Sequence, residues 1–247
     1  MEEEKWEAKI ILFIRGCFSK ASRKTAVVGV SGGLDSAVTL VLCARALGKR
    51  NVIAVFLPSK HTPAQDVKDA ALLAKMLKVK AISFNIEPVL RAYGKLAKDR
   101  LSRANISARV RMAALYSIAK NNNALVVGTG DKSELILGYF TKYGDGAADI
   151  FPIAGLYKRE VKKLALRLGI PAAIANKQPS PALWKGHTAA GELGFSYDEA
   201  DAVLSAIEFG SSRMRLEIRF GKKIVEKITR RIRENAHKSL PAPVCRI

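Results

Sequence analysis

Apolar residues recur in this chain at two spacings. Four short runs are apolar almost throughout: Ala26–Val30, "NVIAVFLP", "KAISFNI" and "ALVVGT". Between them lie stretches with helical spacing: residues 5–18, the apolar segment that closes at Gly48, "TPAQDVKDAALLAKMLKV" and "ISARVRMAALYSIAKN". Gly48 suits a helix C-terminus because glycine tolerates positive φ. In the third stretch Thr62 is the expected N-cap and Pro63 the expected first helical residue. Continuous apolar strands alternating with helices predict an open parallel sheet covered on both faces. Beyond Thr129 the pattern loosens into the glycine-rich "GYFTKYGDGAADIFPIAG", the helix "YKREVKKLALRLG", a Pro-Ser-Pro loop and two more helices. The expected architecture is one α/β domain over residues 1–247 with a helical C-terminal third.

At 247 residues the chain is long enough to bury a core. No apolar run approaches the roughly 20 residues that span a bilayer. The N-terminus is acidic, unlike a secretory signal, so a cytoplasmic location is expected. Cys17, Cys43 and Cys245 are far apart and form no CxxC pair, which argues against a disulfide framework or a zinc site. The formal net charge of +20 calls for an anionic partner, either nucleic acid or a polyanionic small molecule. That excess peaks in "RMRLEIRFGKKIVEKITRRIRENAHK", where a solvated helix face explains it equally well.

The first strand runs into "SGGLDS", Ser31 to Ser36. In an open α/β sheet, ligands bind beyond the carboxyl ends of the strands. Gly32 and Gly33 let backbone approach a ligand, and the helix that follows offers unpaired N–H groups, a combination suited to phosphate. Ser31 and Ser36 add hydroxyls. The corner fits neither GxxxxGK[ST] nor GxGxxG. Asp35 would repel a phosphate unless a metal lay between the two.

SGGLDS resembles the pyrophosphate loop of the N-type ATP pyrophosphatases. Longer segments resemble one family within that superfamily, the NAD synthetases: "LPSKHTPAQDVKDA", "NISARVRMAALYSIA", "VVGTGDKSELILGYFTKYGDGAADIFPIAGLYKREVKKLALRLGIP", "KQPSPALWKG", "ELGFSYDEAD" and "HKSLP". The resemblance implies a Rossmann-like fold of the adenine nucleotide alpha hydrolase type and ATP-dependent amidation of deamido-NAD. It implies ATP contacts from Gly29, Val30, Ser31, Gly32, Gly33, Leu34, Asp35, Ser36, Thr129, Lys158 and Ser180. It also implies Mg2+ on Asp35 and Glu134, and deamido-NAD contacts from Arg109, Lys142, Asp149, His237 and Lys238. Asp35, Glu134 and Lys158 would be the catalytic set. By residue type alone each has a plainer reading: Glu134 as an acid favoured at a helix start, Arg109 and Lys142 as solvated charges, His237 as a surface histidine.

Glutamine-using members of the family carry an additional nitrilase-like domain. Since SGGLDS begins near residue 31, the expected nitrogen donor is ammonia directly, or glutamine hydrolysed by a separate partner. The resemblance also implies a homodimer. Where the family has glutamine and then a cluster of acids, this chain has His187, Ala189, Ala190 and Gly191, and residues 186–194 are expected to be mobile. Two rival readings remain. A tRNA-modifying ATP pyrophosphatase would use the same corner but commonly needs paired or catalytic cysteines. A non-catalytic, basic nucleic-acid-binding protein would leave Asp35 and Glu134 without a purpose.

Overall fold

The structure, a computed structural model, describes residues 2–180 and 186–245. Helix α1 (Glu2–Lys20) opens with three glutamates and closes on Lys20, charges that complement the helix dipole. It buries Ile10, Ile14 and Phe18 on one stripe against α2 (Leu34–Leu47), which follows strand β1 (Thr25–Gly29). Strand β2 (Val52–Phe56), helix α3 (Ala64–Leu77) and strand β3 (Lys80–Ser83) come next. Helices α4 (Glu87–Ala92) and α5 (Arg100–Asn121) lead into strand β4 (Ala124–Val127). Then follow α6 (Lys132–Leu137), α7 (Lys158–Arg167), α8 (Ala172–Ala175), α9 (Ala189–Leu193), α10 (Tyr197–Glu208), α11 (Arg213–Phe220) and α12 (Lys222–Asn235).

All pairings in the sheet are parallel, in the order β3-β2-β1-β4. Both faces are covered, as the uninterrupted apolar runs require. Val28 and Ala54 face a core built with α1, α2 and α7. Val27, Ile53 and Val55 face the opposite core with Ile86 and Ala119. Each of these valine and isoleucine side chains, fully buried, contributes roughly 1.5–3 kcal/mol. A third cluster joins Leu137, Tyr157, Phe195, Val203 and Ile228, so that the C-terminal helices fix α6 and the start of α7. The crevice forms between the carboxyl ends of β1 and β4, where the chain switches direction across the sheet.

Several boundaries differ from the sequence reading. Strand β1 is shifted by one residue, although Val30 still donates to Val55 O at 2.9 Å. Thr62 does not cap α3. Its hydroxyl accepts the Ser59 N–H at 3.0 Å within a turn, and Pro63 keeps an extended ψ of 135°, so the helix starts at Ala64. The helix expected over 106–121 begins earlier, at Arg100, because Asp99 accepts the Ser102 N–H at 2.8 Å. Four helices, not two, follow the Pro-Ser-Pro region among the described residues. Gly221, at φ 85°, breaks the basic segment into α11 and α12. The stretch 186–194 contains α9, whose cap Thr188 accepts the Gly191 N–H at 3.1 Å. Pro181 of the expected loop, and Leu183, Trp184 and Lys185 of "LWKG", lie outside the described residues.

Candidate active site

The corner after β1 is a glycine-built turn that opens a helix at the crevice. Among the described residues no side chain caps α2 at Gly33, so its first-turn N–H groups lack a side-chain acceptor. Gly32 sits at φ +82°, and a Cβ there would lie 2.2 Å from the Asp66 carbonyl oxygen. Only glycine fits. The two serines brace the loop rather than projecting from it. Ser36 is buried, donates to Gly33 O at 3.1 Å and accepts the Ser31 N–H at 3.2 Å, while Ser31 Oγ accepts the Gly33 N–H at 3.2 Å.

Beside this corner three carboxylates converge on one ammonium. Lys158 Nζ lies 2.8 Å from Asp35 Oδ2, 2.9 Å from Glu134 Oε1 and 2.7 Å from Asp131 Oδ2. Asp35 follows the tip of β1, Asp131 and Glu134 follow β4, and Lys158 opens α7. Asp131 and Glu134 also form a capping box on α6, in which Asp131 Oδ1 accepts the Glu134 N–H at 2.8 Å. Tyr197 closes one side, its ring centroid 4.8 Å from Lys158 Nζ. Burial alone would discharge the lysine, yet Asp35, Glu134 and Asp131 hold its pKa well above the ordinary value. Burial, opposed by Lys158 and reinforced by repulsion from Asp131 and Asp35, pushes Glu134 up to about 8. Burial likewise pushes Asp131 up to about 6.

This donor set fits a hard divalent cation. Asp35, Asp131 and Glu134 each offer an oxygen, and these oxygens lie within 4.8 Å of one another. Among the described residues the buried Asp35 Oδ1 has no hydrogen-bond partner. Three carboxylates crowd one ammonium, and repulsion among them adds to burial in raising the Glu134 and Asp131 pKa values. Oxygen-only ligands suit Mg2+.

A cavity of about 950 Å³ opens from the corner. Of the sequence-derived ATP residues, Gly29, Val30, Ser31, Gly33, Leu34, Asp35, Thr129, Lys158 and Ser180 line it, as does Lys238 of the dinucleotide set. Arg109, Lys142 and His237 are gathered into a separate cluster. Arg109 Nε donates to Lys142 O at 3.3 Å, and Lys142 Nζ donates to His237 O at 2.7 Å. Lys238 Nζ donates to Gly138 O at 2.8 Å, tying this cluster to the end of α6. Asp149 stands apart, its Oδ2 accepting the Val126 N–H at 2.7 Å and thereby bracing the edge of β4. His187 is buried at the cavity wall, its Nε2 2.8 Å from Glu192 Oε2, which also accepts from the Tyr139 hydroxyl at 2.7 Å.

Sequence reading missed Asp131, Tyr197, Lys177 and Asp201. Asp131 had a signal, since Asp-x-x-Glu is a capping-box pattern, but that pattern announces a helix start and not a ligand. Lys177 Nζ reaches Gly32 O at 2.8 Å, Asp66 at 2.7 Å and Asp69 at 2.5 Å, tying the segment that carries Ser180 to the glycine turn. Nothing local in the sequence predicts that junction.

The sequence profile of the NAD synthase family matches residues 6–242. The NH(3)-dependent NAD(+) synthetase of Methanosarcina acetivorans is 44% identical over 252 residues, covering 99% of this chain and 98% of that protein. Among solved structures, an NMN synthetase from Francisella tularensis superposes with a TM-score of 0.90 at 31% identity, covering all of both chains. An NH3-dependent NAD synthetase from Campylobacter jejuni superposes with a TM-score of 0.86, also at 31% identity and over all of both chains. Matched nearly end to end by profile, relative and structure, the chain belongs to the NAD synthase family.

Proposed function

We propose that this chain amidates deamido-NAD with ammonia, converting ATP to AMP and pyrophosphate. One observation carries the reading: a lysine held cationic among three carboxylates, directly beside a glycine-built helix N-terminus. With a divalent cation on its carboxylates, such a corner would neutralise a departing polyphosphate. It contains no poised side-chain nucleophile, and the reaction needs none. The substrate's carboxylate oxygen attacks the α-phosphorus of ATP, the bond to the β-phosphate bridge breaks, and pyrophosphate leaves with its electron pair. Ammonia then adds to the activated carbonyl, AMP leaves, and the nitrogen gives up a proton.

The first-turn amides of α2 and the Lys158 ammonium supply donors toward charge that grows on the pyrophosphate, an arrangement that dominates phosphoryl transfer. Asp35 and Glu134 would hold Mg2+, with Asp131 behind them. When bound, Mg2+ would neutralise phosphate charge and help to orient the triphosphate. Thr129 and Ser180 line the cavity, and the reading assigns them to ATP. Arg109, Lys142, His237 and Lys238 provide the cationic region for the dinucleotide pyrophosphate, and Asp149 completes the family set. The reading includes a cytoplasmic homodimer on the family's pattern and no nucleic-acid partner. Among the described residues, no helix is long and apolar enough to cross a membrane.

The test is direct. Purified chain, Mg-ATP, ammonium and deamido-NAD should give NAD and AMP in equal amounts. Nicotinate mononucleotide is the control substrate that the Francisella neighbour suggests, and glutamine is the control donor. ADP in place of AMP, or amidation of the mononucleotide alone, would overturn the proposal.

A further inference from the structure

Helix α7 starts at the lysine on which the site depends, yet its first N–H groups are capped from outside the helix. The Lys158 N–H donates to Ser133 Oγ at 3.0 Å, and the Arg159 N–H donates to Asp201 Oδ2 at 2.9 Å. The Ser133 hydroxyl in turn donates to Asp201 Oδ1 at 2.5 Å. Asp201 and Ser133 are both fully buried, and Asp201 lies 42 residues beyond Arg159, on α10. A carboxylate is an acceptor at both oxygens, so it can take the amide and the hydroxyl together. Its charge also suits a helix N-terminus. Ser133 directly precedes Glu134. The same pair therefore ties the backbone of Lys158 to the backbone that presents Glu134, and both to α10.

We propose that Asp201, acting through Ser133, is a positioning residue that sets Lys158 beside the triphosphate. The inference rests on the functional reading above. The "ELGFSYDEAD" segment thereby gains a role in the site: Asp201 braces the start of α7 and Tyr197, one turn earlier, walls the ammonium. In Asp201→Asn one oxygen becomes an amide donor. Either the Ser133 hydroxyl proton or the Arg159 N–H then loses its acceptor inside the core.

The experiment measures Mg-ATP affinity by titration calorimetry in four full-length proteins: unmodified, Asp201→Asn, Lys158→Ala and the double variant. If Asp201 acts by placing Lys158, the substitution weakens binding about fivefold or more in the unmodified background and less than about twofold once Lys158 is gone. An equal factor in both backgrounds would make Asp201 a general fold residue and overturn the inference; so would the absence of any effect. Should Asp201→Asn not fold, Ser133→Ala is held to the same two factors and the same overturning result. Failure of the unmodified chain to bind Mg-ATP at all would instead bring down the functional reading and this inference with it.

Discussion

Lys158 Nζ and Asp35 Oδ2 lie 2.8 Å apart although 123 residues separate them in the chain. The pair joins the tip of β1 to the first residue of α7, across the crevice where phosphate would sit. Lys158 offsets repulsion among three converging carboxylates at the place a divalent cation would take. On the proposed reading, loading the site would draw the ammonium from Asp35 and Glu134 to phosphate oxygens.

Asp35→Ala should abolish formation of both AMP and NAD, a loss of at least about 100-fold by comparison with other preorganised charge-stabilising groups. Lys158 keeps Asp131 and Glu134 as partners, and one repelling carboxylate is gone. The melting temperature by circular dichroism should stay within about 3 °C of the parent. A collapse of the fold would show that Asp35 is structural.

The raised carboxyl of Glu134 has a pH signature. Its folded value near 8 lies above the ordinary 4.5, so between these values the folded state holds a proton that the unfolded state has released. Its contribution is present at low pH and is lost as pH rises toward 8. Without ligands, Glu134→Gln should therefore have a flatter dependence of unfolding free energy on pH from 5 to 8 than the parent. Binding of Mg2+ needs the carboxylate ionised, so metal affinity should rise with pH over the same interval and proton release should accompany it. Identical stability slopes in parent and variant would contradict this assignment.

Gly32→Ala should damage both stability and nucleotide binding. The backbone lies at φ +82° and the added carbon would sit 2.2 Å from Asp66 O, so the loop must shift away from α3. We expect a loss of about 1–3 kcal/mol in urea denaturation, together with a raised KM for ATP. Unchanged values would mean that the turn is looser than its contacts imply.

Lys177→Met should separate binding from ammonia use. It cuts the links to Gly32 O, Asp66 and Asp69 and leaves two carboxylates facing each other. The KM for ATP should rise about tenfold while the KM for ammonium changes less than about twofold. Equal changes in the two constants would assign Lys177 to the fold as a whole.

Much of this was legible in the sequence because its causes are local. Four apolar runs predicted four parallel strands, and SGGLDS marked the corner through glycine conformation and helix-end amides. The α6 capping box kept Asp131 hidden, since a helix start explains an Asp-x-x-Glu pattern completely. Helix α4 escaped notice because it is a single short segment with Pro88 in its first turn. Lys177 and Asp201 were invisible for a different reason. Each acts on residues far away in the chain, and a lone charge in an amphipathic sequence looks solvated until tertiary packing buries it. The Ser36 hydroxyl was legible as a polar group at the corner, but its turn toward Gly33 O depends on backbone geometry that the residue type does not reveal.

The most direct measurement is a crystal structure of the chain with Mg2+ and a non-hydrolysable ATP analogue. The account predicts an ion held by Asp35 and Glu134, phosphates over the first turn of α2, and Lys158 Nζ withdrawn from those carboxylates to phosphate oxygen. A nucleotide bound elsewhere, with Lys158 still seated between Asp35 and Glu134, would contradict it.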